Sequence, residues 1–140
     1  MKTIIAGSRW IDDPKLLQSA INESGFSITT VISGGAAGVD TMGEDFARAN
    51  DIPCEVMPAN WSKYGRRAGI LRNEQMADEA EAVIAVYDGT SNGTAHMIST
   101  AEARGLHLFV KELTVDEINT LKAEHERRRK ERNRDLVQDL

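Results

Sequence analysis

The chain has 140 residues, with 17 Lys and Arg against 22 Asp and Glu, for a formal net charge of −5 at pH 7. That length suits one domain with a buried core, and the acidic balance excludes broad electrostatic attraction to duplex DNA or an anionic membrane, leaving room only for a local basic pocket. No apolar run nears the roughly 20 residues needed to cross a bilayer, and the N-terminal one is too short for a signal peptide, so the expected compartment is the cytoplasm.

In chain order, residues 2–6 form a short apolar run closed by Gly7 and predict a buried strand. Asp12, Asp13 and Pro14 then open a helix whose apolar face is Leu16, Leu17, Ala20 and Ile21, with Gly25 as its stop. Residues 28–33 predict a second strand. After a glycine-rich stretch, Val39, Met42, Gly43, Phe46 and Ala47 fall at helical spacing over 39–50. Residues 54–57, bounded by Pro53 and Pro58, predict a third strand, in which the lone cysteine, Cys54, reads as a small apolar residue. With one cysteine there is no internal disulfide and no cysteine-based metal site.

Residues 60–69 are polar, aromatic and basic and predict a long loop; 70–80 predict a helix. "AVIAVY" at 82–87 is the plainest strand, followed by a second glycine-bearing loop at 88–93, a helix over 94–104 stopped by Gly105, and a last strand at 106–110. Strands alternating with helices predict a mostly parallel five-stranded sheet in a Rossmann-like α/β three-layer sandwich. Thr114 and Glu117 form a capping box that opens a terminal helix. Residues 124–135 carry almost nothing apolar, so this part is either a solvated helix or tail, or a brace for a partner using Leu136, Val137 and Leu140. The organisation expected is a domain over 1–112 and a charged helix over 113–140.

In a parallel sheet, ligands bind beyond the carboxyl ends of the strands. The loops on that edge are 7–9, 33–40, 58–69 and 88–93, all rich in glycine, small hydroxyl residues or arginine. In "SGGAAGVD", Gly34, Gly35 and Gly38 lie between a strand and a helix. Their N–H groups can converge on an anion, and the helix N-terminus adds about half a positive charge. A phosphate is the natural occupant. The stretch lacks the dinucleotide fingerprint G-x-G-x-x-G and the Gly-Lys-Ser/Thr ending of a P-loop, which disfavours a dehydrogenase or a P-loop kinase.

The set "GSR" at 7–9, "SGGAAGVD" at 33–40, "GRRAGILRNEQM" at 65–76 and "DGTSNGTAHM" at 88–97 resembles the SLOG superfamily. That superfamily joins the DNA-processing protein DprA to the Lonely Guy phosphoribohydrolases, and its small YspA-type, cpYpsA-related branch, common in bacteria and phages, is the most similar. The resemblance runs from residue 1 to about 111. It implies a Rossmannoid domain that holds a nucleotide or nucleotide-derived molecule across the two glycine loops, in proteins that commonly pair. Lonely Guy enzymes cleave the N-glycosidic bond of nucleoside 5′-monophosphates. Gly34 to Gly38, Arg72 with Asn73 and Met76, and Gly93-Thr94 match their motifs, except that Asn73 replaces a basic residue. Ala95, His96 and Met97 stand where the catalytic glutamates would follow. Glycosidic cleavage needs a carboxylate, so their loss weighs against that activity.

The expected function is therefore binding of a phosphorylated nucleotide or nucleotide-derived signal. Nucleotide hydrolysis of the phosphoribohydrolase type is the alternative, and single-stranded DNA binding is a weaker one, disfavoured by the acidic balance and the 5% aromatic content. The expected ligand-binding residues are Gly7, Ser8, Arg9, Ser33, Gly34, Gly35, Ala36, Gly38, Asp40, Arg67, Arg72, Asn73, Asp88, Gly89, Asn92, Gly93 and Thr94. Arg72 offers a bidentate fork to phosphate. If there is catalysis, Arg72 and Asp88 are the candidates, with Asp40, Glu44 and Glu74 also near the edge; Asp88 equally suits a turn cap or a ribose hydroxyl. Trp10, Trp61 and Tyr64 either stack on a base or pack beneath the long loop. His96 reads as a local hydrogen-bonding residue, and His107 and His125 lack ligand spacing, so neither a metal nor a cofactor is expected.

Overall fold

The computed structural model describes the backbone of residues 1–138 and the side chains of residues 1–136. Five strands, β1 (Lys2–Gly7), β2 (Thr30–Ser33), β3 (Cys54–Val56), β4 (Ala82–Tyr87) and β5 (His107–Glu112), form one sheet in the order β3-β2-β1-β4-β5. Every neighbouring pair is parallel. The helices are α1 (Pro14–Ser24), α2 (Val39–Ala49), α3 (Trp61–Tyr64), α4 (Ala68–Glu79), α5 (Asn92–Ala103) and α6 (Val115–Gln138). This is the three-layer Rossmann-like α/β fold expected.

The central strands β1, β2 and β4 are largely apolar because both faces of the sheet are covered there. Ile5, Val31, Ile84 and Val86 pack on one face with Leu17, Ile21, Val39 and Leu121. Their strand neighbours Ile4, Ile32, Val83 and Ala85 turn to the other face and meet Met76, Ala80, Met97 and Ala101. Period-2 alternation thus assigns adjacent apolar residues to opposite cores. The caps fall where the sequence places them. Asp13 accepts from the Lys15 N–H at 3.1 Å, and Gly25 ends α1 in the left-handed region at φ 67°. Thr114 and Glu117 exchange reciprocal bonds of 3.1 and 3.0 Å at the start of α6.

Two expectations are corrected. Residues 60–69 are not a long loop: they form α3, a single 3-10 turn (Gly65–Arg67) and the first turn of α4. Asn60 makes the difference, because its side chain accepts from the Lys63 N–H at 3.1 Å and starts a helix without any apolar periodicity. Cys54 lies in its strand but is exposed, because β3 is a short edge strand. Leu121 and Leu113 anchor α6 to the core, and the helix then carries its charged run outward. Leu136 is 66% exposed; the Val137 side chain and Leu140, expected beside it in a pairing face, lie outside the described residues. Among the described residues, no helix is long and apolar enough to cross a membrane.

Candidate functional site

The chain builds β1, β2 and β3 outward in one direction, then crosses to build β4 and β5 on the other side of β1. The strand order therefore reverses between β1 and β4, and the loops beyond their carboxyl ends part there to leave a crevice. A cavity of about 380 Å³ opens at that point. Gly7, Ser8, Arg9, Ala36, Asp40, Arg72, Asn73, Asp88, Gly93 and Thr94 line it. Asn92 lines a second, adjoining cavity, and Ser33, Gly34, Gly35, Gly38, Arg67 and Gly89 line neither.

The glycine loop does internal work. The Gly35 N–H donates to Ser33 Oγ at 3.1 Å, and the Ala36 N–H donates to Asp40 Oδ2 at 3.2 Å. Ser33 Oγ in turn donates to Glu44 Oε2 at 2.8 Å. Two of the amides expected to face an anion are thus engaged within the chain. Gly38, at φ 73°, has no room for a side chain, since a Cβ there would collide with the backbone carbonyls of Ser8 and Arg9. Gly34 lacks room for another reason: its missing Cβ would lie 2.8 Å from Arg72 Cζ and 2.9 Å from Asp40 Oδ2. The glycines let the loop following β1, the start of α2 and the Arg72 side chain come together.

Arg72 reaches over from α4. Its Nη1 donates to the Gly34 carbonyl at 2.6 Å and its Nε to Asn73 Oδ1 at 3.1 Å. Asn73, buried at 5% exposure, spans to the start of α5: its Nδ2 donates to the Gly93 carbonyl at 3.2 Å and lies 3.1 Å from His96 Nδ1. Burial pushes Arg72 below its ordinary value, with Asp40 opposing and Arg9 adding to the shift; a guanidinium so shifted still carries its charge at neutral pH. Among the described residues, neither Arg9 nor Arg72 has a carboxylate within 4.0 Å.

The two carboxylates of the cavity differ. Asp88 is satiated: Oδ2 accepts from Trp10 Nε1 at 2.7 Å, and Oδ1 accepts from the Thr90 and Ser91 N–H groups, both at 2.9 Å. Burial alone would raise its pKa, but these donors outweigh it and hold the group down to about 2. Such a carboxylate is a poor proton acceptor. Asp40, 6% exposed, is pushed up by burial; the Ala36 N–H and Arg72 pull it back only in part. Beside Asp88 stands Ser8, 1% exposed, whose Oγ is near enough to the carboxylate to help hold its charge but makes no hydrogen bond of good geometry.

The sequence model of the YspA, cpYpsA-related SLOG family matches residues 1–64. The Gene 61 protein of Mycobacterium phage D29 is 30% identical over 115 residues, spanning 75% of this chain and 91% of that protein. The chain belongs to the YspA, cpYpsA-related SLOG family. No solved structure gave a significant match. The SLOG family match takes in β1 to β3, the glycine loop and α3, so the opposite wall, with Arg72, Asn73, Asp88 and Thr94, lies beyond it.

Further residues line this SLOG crevice beyond the expected ligand-binding set. Met76 and Met97 form apolar wall, and Ser91, whose Oγ lies 3.0 Å from Thr94 Oγ1, completes the rim at α5. Ser91 sits inside the glycine-bearing loop and was within reach of the sequence reading. The methionines were not, because their helical spacing looks the same whether they face a core or a cavity. Among the described residues no His, Cys, Asp and Glu cluster could hold a metal ion.

Proposed function

We propose that this SLOG protein binds a phosphorylated nucleotide or nucleotide-derived signal in the crevice at the β1/β4 switch point. The family match points to nucleotide-related function. The observation that carries the reading is the pair Arg9 and Arg72, two guanidinia at the cavity with no carboxylate of the described residues within 4.0 Å, in a chain whose net charge is −5. Phosphate lies against these guanidinia and the amides that open α5, where Ser91 makes no side-chain cap. The glycine loop contributes less through its own amides than by bringing Arg72 and the start of α2 to the same place. Thr94 and Asp40 face the ribose.

Thermal unfolding in the presence of AMP, GMP, ADP and their nucleosides tests this, because a ligand bound only by the folded chain raises the midpoint. Nucleotides are expected to stabilise and nucleosides to do so weakly. Arg72→Ala should reduce the nucleotide shift far more than the nucleoside shift; equal losses would sink the phosphate assignment. Asp40 favours a second reading, hydrolysis at the glycosidic bond, since it is a buried, protonatable carboxylate in the cavity wall and Asp88 is saturated with donors. Chromatography for released base separates turnover from binding.

A further inference from the structure

A second cavity of about 370 Å³ adjoins the first. The two share one wall: Arg9, Arg72, Asn73 and Gly93 line both. That shared wall holds two guanidinia and no acid, whereas Asp40 and Asp88 belong to the first chamber alone. Arg9 lies close enough for its charge to disfavour that of Arg72. Like charges held together with Asp40, on the first chamber's side, as the nearby counter-charge predict a polyanionic ligand group lying between them.

The far chamber has its own character. Trp61 is 53% and Ile70 48% exposed, and both line it. The Trp61 ring is seated over Gly69, whose absent Cβ would lie 3.4 Å from the ring edge. A large flat ring left half bare beside a guanidinium wall is a stacking platform for a second π-system. Each chamber alone lies at the small end of the range for small-molecule sites, about 300–1,000 Å³.

Resting on the nucleotide reading of the first chamber, we propose that the ligand is two-part: two nucleoside units joined through a diphosphate. One unit occupies the switch-point chamber with its hydroxyls on Asp40 and Thr94. The diphosphate lies along Arg9 and Arg72. The second base stacks on Trp61.

Isothermal titration of the full chain with AMP, ADP, GMP, GDP, ADP-ribose, diadenosine diphosphate and diguanosine diphosphate tests this. One of the dinucleoside diphosphates is expected to bind about tenfold or more tighter than the matching nucleoside diphosphate, in keeping with one added base stack. ADP-ribose, with the second ribose but no second base, should gain little. Trp61→Ala should erase the dinucleoside advantage while AMP or GMP affinity stays within about twofold, and Trp61→Phe should restore most of it. Mononucleotides binding as tightly as dinucleoside diphosphates overturn the two-part ligand and leave the nucleotide reading standing. Trp61→Ala weakening both classes equally overturns the base subsite. Absence of binding by every compound overturns both readings.

Discussion

Asp88 carries its charge because Trp10, Thr90 and Ser91 all donate to it. Its pKa of about 2, against 3.8 for a free aspartate, couples folding to pH. The ionised form stabilises the fold, so its contribution is complete above about pH 4 and disappears as the pH falls through about 2. Asp88→Asn places a second donor against the Trp10 N–H and should lower the unfolding midpoint at pH 6. The gap between the two proteins should close between about pH 4 and pH 2; a gap constant over that range would show that ionisation is not the cause. Residue identity announced that Asp88 ends a strand at the ligand edge, and its two possible roles could not be separated by sequence, because Trp10 is 78 positions away. The glycines tell a similar story. Their presence signalled close approach, but what approaches is the Ser8–Arg9 backbone and the Arg72 side chain. That is a long-range fact. It also makes Gly35, at φ 75° with Val56 close by, a poor site for a bulky probe, since a side chain there strains the backbone whatever the ligand does.

At the scale of elements, α6 behaves as two pieces. Its first turns bury Leu121 and pack Ile118 against the core, and Lys122 sits over the Trp10 ring at 5.4 Å from the centroid. Further out, Arg128 donates to the exposed Asp12 carbonyl at 3.3 Å, and most of the remaining described side chains face solvent. Leu121→Ala should cost about 2–3 kcal/mol in urea unfolding, as expected for a truncated core leucine. Ending the chain after residue 126 should change stability by less than about 0.5 kcal/mol, because what is lost is mainly surface. A truncation as harmful as the leucine change would show that the charged run is structural. The capping box, the proline start of α1 and the glycine stops were legible because each is a local device, complete within a few residues. α3 was not, since its Asn60 cap precedes a stretch with no apolar period to announce a helix.

Across the whole molecule, the two cores are separated by the sheet and knit together by it. Ile84, wholly buried in the middle of β4, pairs with Ile5 across the ladder and packs in the core beneath α1 and α2. Ile84→Ala should cost about 3–5 kcal/mol, a large share of the stability of an ordinary domain, and should be read as a fall in the urea midpoint with an unchanged slope. The architecture was legible because apolar strands alternating with amphipathic helices admit few topologies. The crevice was legible only as an edge. Which loops meet across it depends on strand order, and strand order is a global property.

That order has a consequence for how the chain is made. The first strand to leave the ribosome is the middle of the finished sheet, and its two neighbours are supplied by residues 30 and 82. Every ladder is non-local, so closure is slow compared with a hairpin protein of equal size. A nascent chain can assemble the β3-β2-β1 half early, but β1 keeps one side bare until β4 has been synthesised. Arg72 waits for its helix to dock on that same late half. The complete crevice therefore arrives in a single late step, and a ribosome stalled before residue 88 would hold a chain with half a sheet and only one wall of it.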